Sequence, residues 1–224
     1  MQSGSKGLHL RDNDLDAKHL TNIRLQALEH ILNDQQAILI RELEREVIRC
    51  VKDQNGNHVI QKAIERCDPK DITFILQCFT SQVHSLSIHT YGCRVIQRCL
   101  EHCEQPAKQA IMAELHDGMP SLICDAFGNY VVQHVVEHGG ESDRQRVLDL
   151  VSKSLENYSK HKFASNVVEK CLNFASPSWR REVVETLTRG NKREREGMLI
   201  SLINDQYGNY VIRKSCALLY DSRY

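Results

Sequence analysis

Apolar residues recur along this chain in adjacent pairs spaced by one helical turn, and the whole block then repeats. In residues 57 to 67, Val59, Ile60, Ala63, Ile64 and Cys67 fall within one arc of about 140° at 100° per residue. Asn57, His58, Gln61, Lys62 and Glu65 fill the opposite side. The same division holds for Val95/Ile96/Cys99/Leu100, Val131/Val132/Val135/Val136, Val167/Val168/Cys171/Leu172 and Val211/Ile212/Ser215/Cys216. Val-Ile and Val-Val pairs alone would also suit strands. The i, i+1, i+4, i+5 spacing, sustained in every copy, selects helix.

The blocks keep a fixed step. Asn57, Cys93, Asn129, Ser165 and Asn209 open them at intervals of 36, 36, 36 and 44 residues. Thirty-six residues before Asn57 stands Thr21, in LTNIRLQALEHI, a degraded copy in which Arg24 interrupts the apolar face. The longer last step is assigned to a solvated loop inserted at residues 188–197, TRGNKREREG. DITFILQCF, AKQAIMAEL and DRQRVLDLV add further helical patterns, after the breakers CDP, EQP and HGG. The expectation is all-α: five clear units and one degenerate first unit, each burying its apolar face on its neighbours. The motif helices lie near 21, 57, 93, 129, 165 and 209, in a repeat domain at 17–220 behind a polar tail at 1–16. Stacking of this kind places the equivalent helix of each unit on one continuous, usually concave, surface.

Composition narrows the classes. Charged residues make up 26% and apolar residues 41% of 224, ordinary for a globular protein. No apolar run reaches the roughly 18 residues of a membrane span, and the tail lacks a signal-peptide core. Nine cysteines without CxxC spacing predict reduced thiols and a cytoplasmic protein. Net charge is zero, which argues mildly against a protein that clings to duplex phosphates. Cys99, His102 and Cys103 have a helical spacing that could hold zinc. Cys99 and Cys103, however, stand in columns filled elsewhere by Ala63, Val135, Cys171 and Cys67, so buried thiols are expected and no metal or cofactor. No phosphate-loop, dinucleotide, zinc-protease or nucleophile-elbow motif occurs, so no enzymatic activity is expected. Trp179, in SPSWRREVVETL, is expected to anchor a helix start.

The polar side of the blocks carries the functional signal. A solvated helix face favours Glu, Lys and Arg; these columns carry Asn, His, Gln, Tyr, Ser and Cys. Three positions per unit share the first turns: Asn57/His58/Gln61, Cys93/Arg94/Gln97, Asn129/Tyr130/Gln133, Ser165/Asn166/Glu169 and Asn209/Tyr210/Arg213. The middle residue is always planar, suited to stacking between bases at about 1–3 kcal/mol for the aromatic cases. The outer two can reach base edges. A carboxylate accepts from both N–H groups of guanine, so Glu169 suits guanine. Two amides satisfy uracil, as in Asn57/Gln61 and Asn129/Gln133, and Gln97 beside Cys93 suits adenine.

The motifs NGNHVIQK, YGCRVIQR, FGNYVVQH, KFASNVVEK and QYGNYVI resemble the repeats of the Pumilio (PUF) RNA-binding proteins over roughly residues 20–219. That family reads one base per helical repeat. The resemblance implies a right-handed α-solenoid, a curved superhelix of about six such repeats here. It further implies binding of single-stranded mRNA, at 3′-UTR sites, antiparallel to the protein, with the last repeat on the 5′ base. Uracil falls at Asn57/Gln61, adenine at Cys93/Gln97, uracil at Asn129/Gln133 and guanine at Ser165/Glu169. Stacking falls to His58, Arg94, Tyr130, Asn166 and Tyr210. Repression or decay of mRNA through effectors recruited to the convex face, by a monomer, completes what the resemblance implies.

Three departures qualify it. The family usually carries eight repeats, and about six are visible. Thr21/Asn22/Leu25 has lost its distal polar residue, so the first unit is expected to cap the stack. Arg213 stands where the uracil pattern expects Gln. A donor-only fork fits cytosine, or else Arg213 turns away to a phosphate or carboxylate while Asn209 and Tyr210 keep uracil. The expected core is 5′-(U or C)GUAU-3′. Lys62, Arg98, His134, Lys170 and Lys214, one residue after each third position, are candidate phosphate contacts. The competing readings are a helical scaffold gripping a peptide and an RNA binder with little sequence preference.

Overall fold

The computed structural model describes residues 33–188 and 192–221 of the chain; Thr21, Asn22, Arg24 and Leu25 of the degenerate unit lie outside them. The described residues form fourteen helices and no strand. The chain divides into two compact units, Met1–Ile111 and Met112–Tyr224. The first holds α1 (Asn33–Arg41), α2 (Val47–Lys52), α3 (Gly56–Arg66), α4 (Thr73–Phe79), α5 (Val83–Ser87), α6 (Gly92–His102) and the start of α7 (Gln105–Cys124). The second holds the rest of α7, then α8 (Gly128–His138), α9 (Glu141–Lys153), α10 (Leu155–Ser159), α11 (Ala164–Phe174), α12 (Pro177–Thr188), α13 (Lys192–Ile203) and α14 (Gly208–Asp221).

The fold is an α-solenoid; the repeats that end in α3, α6 and α11 run helix, short helix and motif helix, whereas the single long α7 precedes α8, and α12 with the longer α13 precede α14. The motif helices α3, α6, α8, α11 and α14 begin within a residue of the repeat marks read from the sequence. Within the first unit α3 packs on α2 and on α6; within the second, α11 packs on α8, α10 and α14. The apolar arc is the core: Val59, Ile60, Ala63 and Ile64 are buried, as are Val95, Ile96, Cys99, all four valines of α8, and Val167, Val168, Cys171 and Leu172. Leu100 and Ile212 are only half buried and Cys216 is exposed, so the arc thins there.

Close approach explains the glycine that opens most motif helices. A Cβ on Gly92 would stand 2.6 Å from the Leu86 carbonyl oxygen of α5. At the matching position of α11 the chain carries Ala164, fully buried, so that repeat admits one methyl group where α6 admits none.

One expectation is corrected in part. Of residues 188–197, expected as a loop, 189–191 lie outside the described residues, Thr188 ends α12, and Lys192 to Gly197 are helical within α13. Lys, Arg and Glu are good helix formers, and a polar, charged stretch serves a solvated helix as well as a loop. The helical patterns between motifs are α4, part of α7 and α9. Pro106, in the breaker EQP, is the second residue of α7, where the missing N–H had no partner to lose. Trp179 is buried near the start of α12, and its indole N–H donates to the Ser152 hydroxyl of α9 at 3.0 Å.

Candidate nucleic-acid interface

Each motif helix is entered through one turn, built five times from two kinds of side chain. The Asp53 carboxylate accepts from the backbone N–H groups of Asn55 at 2.9 Å and Gly56 at 2.6 Å. Asp125 does the same for Phe127 and Gly128, and Asp205 for Tyr207 and Gly208, at 2.7–2.8 Å. The other two turns use imidazole: His89 Nδ1 accepts from Tyr91 and Gly92, and His161 Nδ1 from Phe163 and Ala164, at 3.2–3.3 Å. These groups satisfy N–H donors that the helix itself leaves without partners. The two N–H donors hold the Asp205 carboxyl below its usual range. Burial, with Lys52 adding to it, holds His89 below the usual imidazole value.

The three polar columns rise from these turns at different depths. The first is buried in four repeats and half buried at Asn209: Asn57 and Asn129 are each 1% exposed, and Cys93 and Ser165 are nearly as deep. The middle column, His58, Arg94, Tyr130, Asn166 and Tyr210, is exposed in every repeat; Tyr130 and Tyr210 keep 55% and 54% of their surface. The third column, Gln61, Gln97, Gln133 and Glu169, is half buried, and Arg213 is exposed. The two tyrosines thus present large exposed aromatic surfaces at matching positions of α8 and α14.

Depth changes what the first column can do. The Asn57 amide donates to the Asp53 and Gln54 carbonyls at 2.9 and 2.8 Å, and its oxygen accepts from Gln61 Nε2 at 2.8 Å. Asn129 repeats this with Asp125, Ala126 and Gln133 at 2.9, 3.0 and 2.9 Å. Each asparagine therefore pins the glutamine above it, leaving the glutamine its amide oxygen and one N–H to present. In the Cys93 repeat, Gln97 Nε2 donates to the Cys93 carbonyl at 3.1 Å, and the thiol lies 3.6 Å from the Thr90 carbonyl. In the last repeat Asn209 keeps its bond to the Asp205 carbonyl at 2.8 Å. Arg213 lies over the Tyr210 ring, 5.8 Å from its centroid.

Glu169 is the acid in a column of amides. Burial raises its carboxyl above the usual value, and Lys214 pulls it partly back. The residues next in sequence, proposed to meet phosphates, are drawn toward carboxylates. Lys62 is 3.3 Å from Glu65, Arg98 pairs with Glu65 at 3.0 Å and with Glu101, and Lys170 pairs with Glu137 at 2.7 Å. His134 is buried. The acids Glu65 and Glu137 thus tie one motif helix to the next, a feature that repeat spacing alone did not reveal. A hydrogen bond between the free thiols of Cys99 and Cys103 raises the Cys99 thiol and lowers that of Cys103. Burial pushes the Cys171 thiol up to about 12.

A model of the Pumilio-family RNA binding repeat matches residues 47–78, 82–116, 119–152, 157–186 and 199–216; the first four segments each hold one motif helix and the fifth holds the first turns of α14. Pumilio homolog 9 of Arabidopsis thaliana is 34% identical over 74 residues, 33% of this chain and 13% of that protein. Pumilio homology domain family member 4 of Saccharomyces cerevisiae is 34% identical over 61 residues, 27% of this chain and 7% of its own length. The solved structure of PUF-8 in complex with PBE-RNA superposes with a TM-score of 0.82 at 35% identity, over 88% of this chain and 58% of that one. The Puf3 RNA binding domain bound to Cox17 RNA 3′ UTR recognition sequence site B gives 0.82 and 38%, over 88% and 59%. The chain thus spans less than two thirds of these relatives and structures. With five repeats matched over more than half its length, and the same turn and columns in register in all five, the chain belongs to the Pumilio family of RNA-binding repeat proteins.

Proposed function

We propose that this protein binds single-stranded RNA in a sequence-specific manner, one base per repeat, with the core 5′-(U or C)GUAU-3′ read from the last repeat toward Asn57. The observation that carries the reading is the third column. Gln61, Gln97, Gln133 and Glu169 occupy one position at one depth above a common turn, yet one is an anion and three are amides. A groove gripping a peptide gives no reason for that alternation, whereas base edges do. Exposed planar side chains beside them, His58, Arg94, Tyr130, Asn166 and Tyr210, supply stacking surfaces at the spacing of the repeats.

The base-edge roles follow depth. Gln61 and Gln133 face uracil with Asn57 and Asn129 pinning them, Gln97 faces adenine beside Cys93, and Glu169 faces guanine above Ser165. Asn209 and Arg213 take the 5′ pyrimidine. Phosphate contact from Lys62, Arg98, His134, Lys170 and Lys214 is a minor contribution, because carboxylates already engage several of them. Binding of mRNA 3′-UTR sites by a cytoplasmic monomer, with repression or decay through effector proteins, is the cellular role this activity would serve.

The test is a fluorescence-anisotropy titration of RNAs containing UGUAU, CGUAU and UAUAU. Weakened binding to UAUAU alone, recovered for a non-guanine base by Glu169→Gln, is the expected result. Equal binding to all three would leave a shape or charge binder. No binding to any would return the polar columns to a peptide partner.

A further inference from the structure

We propose that His89 is a positioning residue of the adenine-reading repeat and holds its readers only while its imidazole is neutral, making this repeat pH-sensitive where Asp-capped repeats are not. The inference rests on the RNA reading above for its consequence, but on geometry for its cause. His89 Nδ1 faces two backbone donors, the N–H groups of Tyr91 and Gly92, at 3.2 and 3.3 Å. An atom that accepts twice carries no proton, so the ring hydrogen sits on Nε2. Protonation would put a third N–H against two, and the turn would lose both bonds. Asp53, Asp125 and Asp205 fill the same place with a carboxylate oxygen, an acceptor with no N–H to present. His161 shares the imidazole geometry, so the chain uses both solutions side by side.

The readers lean on that turn directly. The Cys93 thiol lies 3.6 Å from the carbonyl of Thr90, a residue inside it, and Gln97 bonds the Cys93 carbonyl in the first helical turn. Gly92 cannot yield toward α5, because its backbone already approaches Leu86 too closely for a Cβ. A loosened turn therefore displaces the thiol and the amide together. The charge that bears on His89 is Lys52 of α2, and the Tyr91 ring lies 5.9 Å away; burial first and the ammonium second oppose protonation, so the neutral cap persists to the acid side of an ordinary imidazole.

The test compares wild type, His89→Asp and His89→Ala between pH 7.5 and 5.0. The Tyr91 and Gly92 amide resonances are followed by NMR, and UGUAU RNA binding by anisotropy. Any pH effect that arises away from residue 89 is common to all three proteins, so the reading is the difference between profiles. In wild type the two amides are expected to shift with an imidazole titration, and affinity to fall roughly threefold to tenfold further than in His89→Asp, the usual scale of a lost helix cap. His89→Ala should be weak at both pH values, and His89→Asp keeps the assay valid should the alanine variant fail to fold. Identical pH profiles for wild type and His89→Asp, or amides that ignore the titration, would overturn the proposal. Wild type that binds no RNA at pH 7.5 would instead remove the RNA reading, while the amide titration still decides the cap.

Discussion

The repeats of α8 and α14 start from the same frame and finish differently. Both are entered through an aspartate turn, Asp125 or Asp205, and both carry a first-column asparagine and an exposed tyrosine. In α8 the asparagine accepts from Gln133 and fixes it at 2.9 Å. In α14 the third residue is Arg213, which is exposed and lies over the Tyr210 ring instead. A guanidinium has no acceptor and so cannot reproduce the amide's place in an alternating pattern of donors and acceptors. An exposed cation–π contact is worth about 0.5–1 kcal/mol, too little to hold a long side chain against a better partner. The frame is thus common property of the repeats, and the third residue decides whether a repeat presents a fixed edge or a mobile one.

The shared part of the frame is the place where the two repeats should break alike. Tyr130→Ala and Tyr210→Ala each remove an exposed ring that the proposed function assigns to base stacking. Each is expected to cost about 1–3 kcal/mol of RNA affinity, up to roughly a hundredfold, with little change in thermal stability because the rings are exposed. Anisotropy and a thermal melt on the same samples check both halves. A loss of stability equal to the loss of affinity would mean that the tyrosines are structural.

Glu169 sharpens the contrast by adding charge to a fixed position. Glu169→Gln turns its repeat toward the pattern of Gln133 and should reduce the preference for guanine by about 1–3 kcal/mol, the usual cost of one mismatched base. In the proposed reading the carboxylate form is the one that accepts from guanine, and burial raises its pKa. Guanine-dependent binding should therefore weaken as pH falls through that raised value, and the Gln variant should lack this limb. A pH series of anisotropy titrations with UGUAU and UAUAU reads it directly.

The repeat, the helix and the core were legible in the sequence because one periodicity encodes all three. Val131, Val132, Val135 and Val136 could only be buried together on a helix, and they are. The turn chemistry was less legible. Asp53 and His89 share no side-chain chemistry beyond an acceptor atom, so lining up residue types does not join them, whereas their contacts do. Depth was also invisible: Asn57 and Gln61 read as equal partners, yet one is buried and pins the other. The helix at Lys192–Gly197 was missed because charge describes the surface of a segment and not its backbone.

The reciprocal exchange tests the contrast itself. Arg213→Gln should let Asn209 pin the new amide as Asn129 pins Gln133, raising preference for UGUAU over CGUAU by on the order of tenfold, within the range for one base contact. Gln133→Arg should relax its own repeat toward the behaviour of α14. Competition binding with the two RNAs measures each change. An unaltered ratio in Arg213→Gln would place the selectivity of the last repeat in Asn209 and Tyr210 alone.

The smallest effect belongs to the cations beside the columns. Lys170 is already paired with Glu137 at 2.7 Å, a bond that also holds Glu137 below the usual carboxylate range. A lysine that neutralises a phosphate on single-stranded nucleic acid contributes about 0.7 to the slope of log affinity against log salt. Lys170→Met is expected to change that slope by much less, since its counter-charge is a protein carboxylate and not a condensed ion. Stability should drop by under about 1 kcal/mol, the scale of a partly exposed pair. The loss should be matched by Glu137→Gln and not doubled in the double variant, because either change empties the same bond. A salt slope that falls by the full phosphate value in Lys170→Met would show that RNA takes the lysine from Glu137, and would move this column from the scaffold that joins repeats to the surface that holds the strand.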